Sequence, residues 1–235
     1  MRTTAMAPLR RHQLARLSTS GWAAVLGRPW DEQARECLAH WASHQLPLVV
    51  TRQPADSAAS ERIALGLPAP ARWAKRRLAL QVPHTAVLGL DEFPRLAGTH
   101  DLLPPPAQDA IRELLGRLDE CHATARVFGS YGWQAISGLD HVHAASDLDL
   151  SVTVEGAAHA DAVARALASF EAPQPPPPRL DGELLFNDGS AVAWREWSEW
   201  RAGRARAVLV KRLDGVSLRR DTAWCEHVQM TELAA

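Results

Sequence analysis

The chain has 235 residues and a mass of 25.7 kDa, enough for one large domain or two small ones. With 46% hydrophobic and 23% charged residues, it has the composition of a globular protein with a packed core. The net charge of −1 excludes a uniformly basic nucleic-acid-coating protein. The chain contains no run of 18 apolar residues, so no membrane span is predicted. The three cysteines, Cys37, Cys121 and Cys225, are far apart. They predict neither a disulfide framework nor a zinc site, so a cytoplasmic location is expected.

Composition divides the chain into two regions. Gly98 and the three prolines from Pro104 to Pro106 make residues 96–106 the expected connector. Residues 1–97 are then a smaller N-terminal α+β domain that binds substrate or partner. Residues 104–235 form the catalytic domain. The second region carries the clearer periodicities, so it decides the predicted fold class.

The second region predicts helices alternating with strands. Apolar residues at helical spacing predict a helix over 107–121, and strict alternation predicts a half-buried strand over 147–154. A short strand at 127–128 and helices at 131–137 and near 163–170 complete the first half. Two hairpins follow, pairing 179–186 with 191–194 and 208–213 with 216–218. The fold class is therefore α+β, with α/β layers on one small mixed sheet flanked by helices.

Two carboxylates mark the alternating strand. Asp147 and Asp149 stand two residues apart, so they project from the same face of that strand. Two carboxylates held together repel each other, and a bound divalent cation relieves that repulsion. Oxygen ligands favour Mg²⁺ or Mn²⁺ over zinc. The pair therefore predicts a divalent metal site, although most isolated D-x-D pairs are only solvated strand surface.

Two further sets of residues complete the predicted site. Gly129 and Ser130 stand at a strand-to-helix turn, where backbone N–H groups and the helix N-terminus favour a phosphate. Asp181 and Glu183 share one face of a later predicted strand. Either residue is a candidate third metal ligand or a base for an attacking hydroxyl, and the alternative for each is an ordinary surface acid.

These residues carry a resemblance to a known family. The stretch from Phe128 to Gln134, then Ser137-Gly-Leu139, then Ala145 to Leu150 resembles malonate decarboxylase holo-acyl-carrier-protein synthases, also called phosphoribosyl-dephospho-CoA transferases. Arg11-His12-x-Leu14, Asp181 to Leu184 and Val192 to Glu196 support it. More broadly, the Gly-Ser turn, D-x-D and Asp181 are similar to the DNA polymerase β-like nucleotidyltransferase superfamily. The spacing between Gly-Ser and D-x-D is longer here than is usual in that superfamily.

The resemblance implies an activity. The donor would be 2′-(5-triphosphoribosyl)-3′-dephospho-CoA, and the acceptor would be a serine of the apo acyl-carrier subunit of malonate decarboxylase. Pyrophosphate would leave. The paired catalytic aspartates of the family correspond to Asp147 and Asp149, and Asp181 matches the third acidic position. Two-metal catalysis follows from that set, with Asp181 as the proton acceptor.

Other side chains are candidates for substrate contacts. Lys211 is the first candidate for binding phosphate, and Lys75, Arg76, Arg77 and Arg52 are weaker ones, since runs of charge usually form a solvated face. Trp133 either stacks on a ribose or adenine or packs in the core. His141 and His143 stand just before the acidic strand; they either approach the site or, as is more common for loop histidines, face solvent. Trp194, Trp197 and Trp200 are expected to pack in the core or at a domain interface.

Two alternatives keep the fold and change the function. One is a nucleotidyltransferase that uses an ordinary nucleoside triphosphate on a small molecule or RNA. The other is a binding module without turnover. The identity of the donor distinguishes this nucleotidyltransferase from the phosphoribosyl-dephospho-CoA transferase that the resemblance implies. The three acidic positions argue against the second.

Overall fold

The computed structural model describes residues 8–54, 61–170 and 178–226. These residues form two sheets, each with its own hydrophobic core. The architecture is therefore α+β, as predicted from the sequence. Within the described residues, no helix is long and apolar enough to cross a membrane.

The first sheet is antiparallel and has the strand order β4-β3-β2-β1-β5. Its alternating strands β3 and β4 bury every second residue, as expected for a sheet with one covered face. Helices α1 and α2 contribute Trp22 and Trp41 to the first core, and both are buried. Its elements are β1 (Gln13–Leu17), α1 (Thr19–Leu26), α2 (Glu32–Ser43), β2 (Leu48–Val50), β3 (Arg62–Pro68), β4 (Arg77–Pro83) and β5 (Val87–Glu92).

The second sheet is mixed and has the strand order β11-β10-β9-β8-β7-β6. Only β7 and β8 run parallel, and helix α5 makes the crossover between them. The elements are α3 (Pro105–Glu120), β6 (Ala125–Val127), α4 (Gly129–Ser137), β7 (Leu148–Val154), α5 (Ala157–Ala168), β8 (Leu180–Phe186), β9 (Ala191–Ala193), α6 (Trp194–Arg201), β10 (Val208–Lys211) and β11 (Val216–Arg219). The mixed sheet with flanking helices confirms the predicted fold of this region.

Most predicted elements of the second region are present, with shifted ends. Helix α4 begins at Gly129, two residues before the predicted start, so the Gly-Ser turn is itself the first turn of the helix. Trp194 begins helix α6 and does not end a strand. Trp194 and Trp197 are buried, which confirms their predicted packing role.

The expected connector is more ordered than a linker. Residues Leu96–Leu102 form a 3₁₀ helix, and helix α3 begins at Pro105. Proline is well tolerated in the first turn of a helix, because the N–H that it lacks has no intrahelical partner there. The boundaries at 97 and 104 stay a prediction.

The two regions are packed together by α4 and by backbone hydrogen bonds. Trp133 of α4 lies in the core of the first sheet, although its helix belongs to the second. The N–H of Val127 donates to the carbonyl of Pro94 at 2.8 Å, and that of Gln53 donates to Leu213 at 2.7 Å. The N-terminal sheet is therefore held against the face of the second sheet that carries the acidic residues.

Candidate active site

Helix α4 and strand β7 meet at Gly129 and Asp149. The N–H of Phe128 donates to the carbonyl of Asp149 at 3.0 Å, which fixes the turn beside the strand. A Cβ added at Gly129 would lie 1.9 Å from Oδ2 of Asp149, and Gly129 has φ of +60°. Only glycine fits at this position, because any side chain would displace the carboxylate. The turn and the acid predicted from the sequence thus form one contact.

Strand β8 brings Asp181 beside Asp149. The two strands are parallel, and Asp149 pairs in register with Asp181. Gly182 lets the backbones approach, since a Cβ there would lie 2.0 Å from the carbonyl oxygen of Leu150. Asp147, Asp149 and Asp181 are called the aspartate cluster below.

The aspartate cluster holds three carboxyls, and Arg179 lies 3.6 Å from one of them, Asp181. Burial, together with the negative charges of Asp181, Asp147 and Glu183, raises the pKa of Asp149 to about 6. Near pH 7 most Asp149 carboxyls are still ionised against that repulsion. A cation or a proton placed here would lower the electrostatic energy.

The aspartate cluster offers few ligands for a metal ion. Within the described residues, no group of three or more His, Cys, Asp or Glu side chains is arranged to hold one. Oδ1 of Asp181 instead accepts from the N–H of Gly182 at 2.8 Å. Mg²⁺ usually takes only one or two carboxylates, and water and substrate phosphates supply its other ligands. The repelling carboxylates beside a glycine turn fit that partial role.

Glu183 has the opposite surroundings. Its carboxylate lies 3.0 Å from Arg11, 2.8 Å from His12 and 2.9 Å from Lys211. Burial alone would raise the pKa of Glu183, but the hydrogen bond and charge of His12, with Arg11 and Lys211, hold it well below the usual range. These four residues are called the Glu183 cluster. Its carboxylate is already neutralised. Asp181 makes one longer and more exposed ion pair, with Arg179 at 3.6 Å, so it is the freer of the two acids on β8.

The Glu183 cluster also joins the two sheets at the acidic face. Arg11 and His12 precede β1 of the first sheet, and Lys211 ends β10 of the second. The ring of His12 lies 4.2 Å from that of Phe128, the residue that caps α4. The predicted phosphate ligand Lys211 is therefore in place beside the site, although its ammonium group binds Glu183. The sequence did not assign roles to Arg11 and His12, which appeared there only as part of the resemblance.

A cavity of about 570 Å³ opens between the two sheets. Its volume is within the usual range for small-molecule sites, roughly 300–1,000 Å³. One end is formed by Gly129, Ser130 and Asp149, and strands β3 and β4 form the opposite wall. Its aromatic residues are Phe93, Phe128, Trp133, His12, His141 and His143.

The weaker substrate candidates divide between the cavity and the outer surface. Lys75, Arg77 and Trp133 line the cavity. Arg52 and Arg76 are not among its lining residues, and both oxygens of Asp31 accept from the guanidinium of Arg76. Trp133 is buried and its ring lies 5.4 Å from that of Phe93.

His141 is buried and does not face solvent, the alternative that the sequence favoured. The residue is 8% exposed and lines the cavity, and its ring lies 6.4 Å from that of Trp133, whereas His143 is exposed. Burial lowers the pKa of His141 to about 4, so the ring is neutral at pH 7. The sequence did not show this burial, because Trp41, which packs near the ring, comes from a distant part of the chain.

Comparison with known proteins identifies the chain. Residues 10–92 match the N-terminal domain of the family of phosphoribosyl-dephospho-CoA transferase MdcG, and residues 95–222 match its C-terminal domain. The two parts of the chain that enclose the cavity therefore match the two domains of one class of protein, a transferase enzyme. The chain belongs to the phosphoribosyl-dephospho-CoA transferase family. No solved structure matches it.

Several curated relatives carry the name phosphoribosyl-dephospho-CoA transferase. The relative from Bradyrhizobium diazoefficiens is 35% identical over 211 residues, 90% of each chain. That from Xanthomonas campestris pv. campestris is 37% identical over 190 residues, 81% of this chain and 86% of the relative. That from Xanthomonas euvesicatoria is 39% identical over 206 residues, 86% of this chain and 89% of the relative. The similarity to each of these relatives therefore covers more than four fifths of this chain.

Proposed function

We propose that this enzyme transfers the phosphoribosyl-dephospho-CoA group from 2′-(5-triphosphoribosyl)-3′-dephospho-CoA to a serine of the apo acyl-carrier subunit of malonate decarboxylase. Pyrophosphate leaves. The observation that carries the proposal is the contact between Gly129 and Asp149, with Asp181 in register on the next strand. It joins a phosphate-binding turn to a cluster of carboxylates, which a reaction at a phosphate group requires.

The residues divide the chemistry among them. Gly129 and Ser130 present the first N–H groups of α4 to the phosphate chain. Two Mg²⁺ or Mn²⁺ ions would each take one or two carboxylates from Asp147, Asp149 and Asp181, and water and the substrate phosphates would supply the other ligands. When bound, the ions neutralise the triphosphate and polarise the attacking hydroxyl. Asp181 takes the proton of the acceptor serine. Glu183 does not compete for the proton or the metal, because Arg11, His12 and Lys211 already contact its carboxylate.

Positive charge next to the site supports the release of pyrophosphate. The Glu183 cluster contains Arg11 and Lys211, which together carry two positive charges against one carboxylate. This surplus lies at the mouth of the acidic face and stabilises a departing anion. The three cysteines are free thiols, consistent with the reducing cytoplasm as the proposed compartment.

Intact mass of the carrier tests the proposed reaction. The purified enzyme is mixed with MgCl₂, the triphosphoribosyl donor and the apo carrier, and the carrier is expected to gain the mass of one phosphoribosyl-dephospho-CoA group. A carrier with its acceptor serine replaced by alanine is the control. ATP in place of the donor tests the alternative nucleotidyltransferase. The proposal would be contradicted if the carrier gained no mass with the triphosphoribosyl donor, or if ATP modified an equal fraction of the carrier.

Metal binding has a readout that does not depend on activity. Adding MgCl₂ with pyrophosphate is expected to raise the unfolding temperature of the wild type. Asp147→Asn and Asp149→Asn should lose that increase, because each removes a charged ligand. Asp188→Asn is the control, since Asp188 lies at the β8–β9 turn and binds Arg212. An equal increase in all four proteins would exclude the aspartate cluster as the metal site.

A further inference from the structure

The cavity extends well beyond the aspartate cluster. Ring contacts trace a path from Phe128, next to Gly129, through Phe93 and Trp133 to His141. From there the carbonyl of Asp140 accepts from the N–H of Ala71, at the start of the loop that carries Lys75. The cavity thus has an acidic end, an aromatic middle and a second end on the N-terminal sheet.

Two cations stand at the second end. Lys75 and Arg77 are exposed and line the cavity, and neither makes an ion pair or a side-chain hydrogen bond with the described residues. Arg76 between them turns away and binds Asp31. Ala74 and Lys75 both have positive φ, 56° and 51°, so a tight turn directs the lysine at the rim. One face of this segment therefore presents two uncompensated positive charges to the cavity.

His141 supplies an unsatisfied polar atom in the middle of the cavity. Its Nε2 is buried and has no hydrogen-bond partner among the residues that the structure describes, and the residue is 8% exposed. A buried polar atom without a partner is unfavourable unless a ligand or water completes it. Trp133, 6.4 Å away ring to ring, adds a flat apolar surface beside it. This pair suits a flat heterocycle with polar edges.

We infer that this second arm binds the dephospho-CoA portion of the donor, with the adenine beside His141 and Trp133 and the diphosphate at Lys75 and Arg77. The inference rests on the proposed function and assigns a position to one part of its substrate. Dephospho-CoA carries an adenine, and a diphosphate on the 5′ oxygen of its ribose, while the triphosphoribosyl group is attached at the 2′ oxygen. The donor therefore needs two separate anion sites with a site for a base between them. The cavity has that order.

In the proposed reaction the aspartate cluster and its metal ions hold the triphosphate, so the diphosphate of the same donor needs a second anion site. The Glu183 cluster adjoins that acidic end, through the contact of His12 with Phe128. Lys75 and Arg77 are the cations that line the opposite wall. They are thus positioned to distinguish a donor that carries a diphosphate in addition to its triphosphate from a simple nucleoside triphosphate.

Calorimetry with dephospho-CoA, which lacks the triphosphoribosyl group, tests the assignment without turnover. The wild type is expected to bind it, and Lys75→Gln and Arg77→Gln should each weaken binding about tenfold. Arg76→Gln is the matched control, since it removes the same charge from the same segment but not from the cavity, and its affinity should stay within twofold. With adenosine as the probe, Lys75→Gln and Arg77→Gln should bind as the wild type does. His141→Phe should weaken both probes.

Two results would overturn the assignment: no binding of dephospho-CoA by the wild type, or equal binding by correctly folded Lys75→Gln and Arg77→Gln, checked by circular dichroism. The transfer assay separates this failure from that of the proposed function. Charge-dependent binding without any gain in carrier mass would refute the transfer reaction and keep the pocket. Transfer that is unaffected by Lys75→Gln and Arg77→Gln would refute the pocket and keep the reaction.

Discussion

The aspartate cluster and the Glu183 cluster occupy neighbouring positions on the same sheet and have opposite electrostatics. Asp181 and Glu183 are two residues apart on β8 and Asp149 pairs with Asp181, yet the pKa of Asp149 is raised and that of Glu183 is lowered. Both carboxyls are largely buried. The difference comes from the neighbours, which are acids for Asp149 and Arg11, His12 and Lys211 for Glu183.

This contrast separates a reactive site from a structural one. A carboxylate already surrounded by cations has little electrostatic energy to gain from a metal or a proton. A carboxylate among acids has much to gain from both. We therefore propose that the chemistry belongs to the aspartate cluster and that the Glu183 cluster joins the two sheets. Changes that remove one acid at a time test that division.

The largest expected effect is on turnover. Asp149→Asn keeps the shape of the side chain and removes the charge at the centre of the aspartate cluster. We expect the rate of transfer to the carrier to fall on the order of 10³-fold, about 4 kcal/mol of transition-state stabilisation. Rates come from intact-mass time courses at saturating donor. A variant that retains more than a tenth of the wild-type rate would remove Asp149 from the chemistry.

Glu183→Gln should act on stability. The substitution leaves Arg11 and Lys211 without the buried carboxylate that they share, and breaking such a pair typically costs about 3–5 kcal/mol. Urea unfolding measures the change. Glu199→Gln is the control, because Glu199 is exposed and paired only with Arg204, and its midpoint should not move. Equal midpoints for Glu183→Gln and the wild type would show that the cluster does not join the sheets.

Gly129→Ala tests whether the contact with Asp149 matters beyond backbone strain. Gly138 is the matched control, since it also has positive φ, +68°, but a Cβ there meets no atom within 4 Å. Both variants should lose roughly 1–2 kcal/mol of stability from the left-handed conformation. Gly129→Ala should lose a further 1–3 kcal/mol, approximately, from the clash, and transfer should slow more than tenfold. Equal losses of activity in the two variants would contradict the role of the contact.

The sequence predicted the local part of this arrangement. The alternation around Asp149 and the glycine of the preceding strand-to-helix turn are each visible within a few residues, and the predicted strand agrees with the structure. The roles of the site residues stay predictions. The Glu183 cluster was not predictable in the same way, because it joins residues 11 and 12 to residues 183 and 211. Sequence periodicity carries no information about contacts between residues so far apart in the chain. The burial of His141 was missed for the same reason.

The smallest expected effect is on the pH dependence of stability. A carboxyl whose pKa is raised on folding stabilises the protein below its unfolded value, 3.8, and loses that contribution as pH rises through about 6. For Asp149 the loss is of order 2 kcal/mol, after allowance for solvent screening. The pKa of Glu183 is lowered on folding, so its contribution to stability is lost in the opposite direction, as pH falls below the usual range of a glutamate. The stability of the wild type relative to Asp149→Asn, from urea unfolding at pH 4 and pH 7, should therefore fall with rising pH. A constant difference would mean that the repulsion within the aspartate cluster is relieved in the folded protein, which would remove the electrostatic basis for binding a cation there.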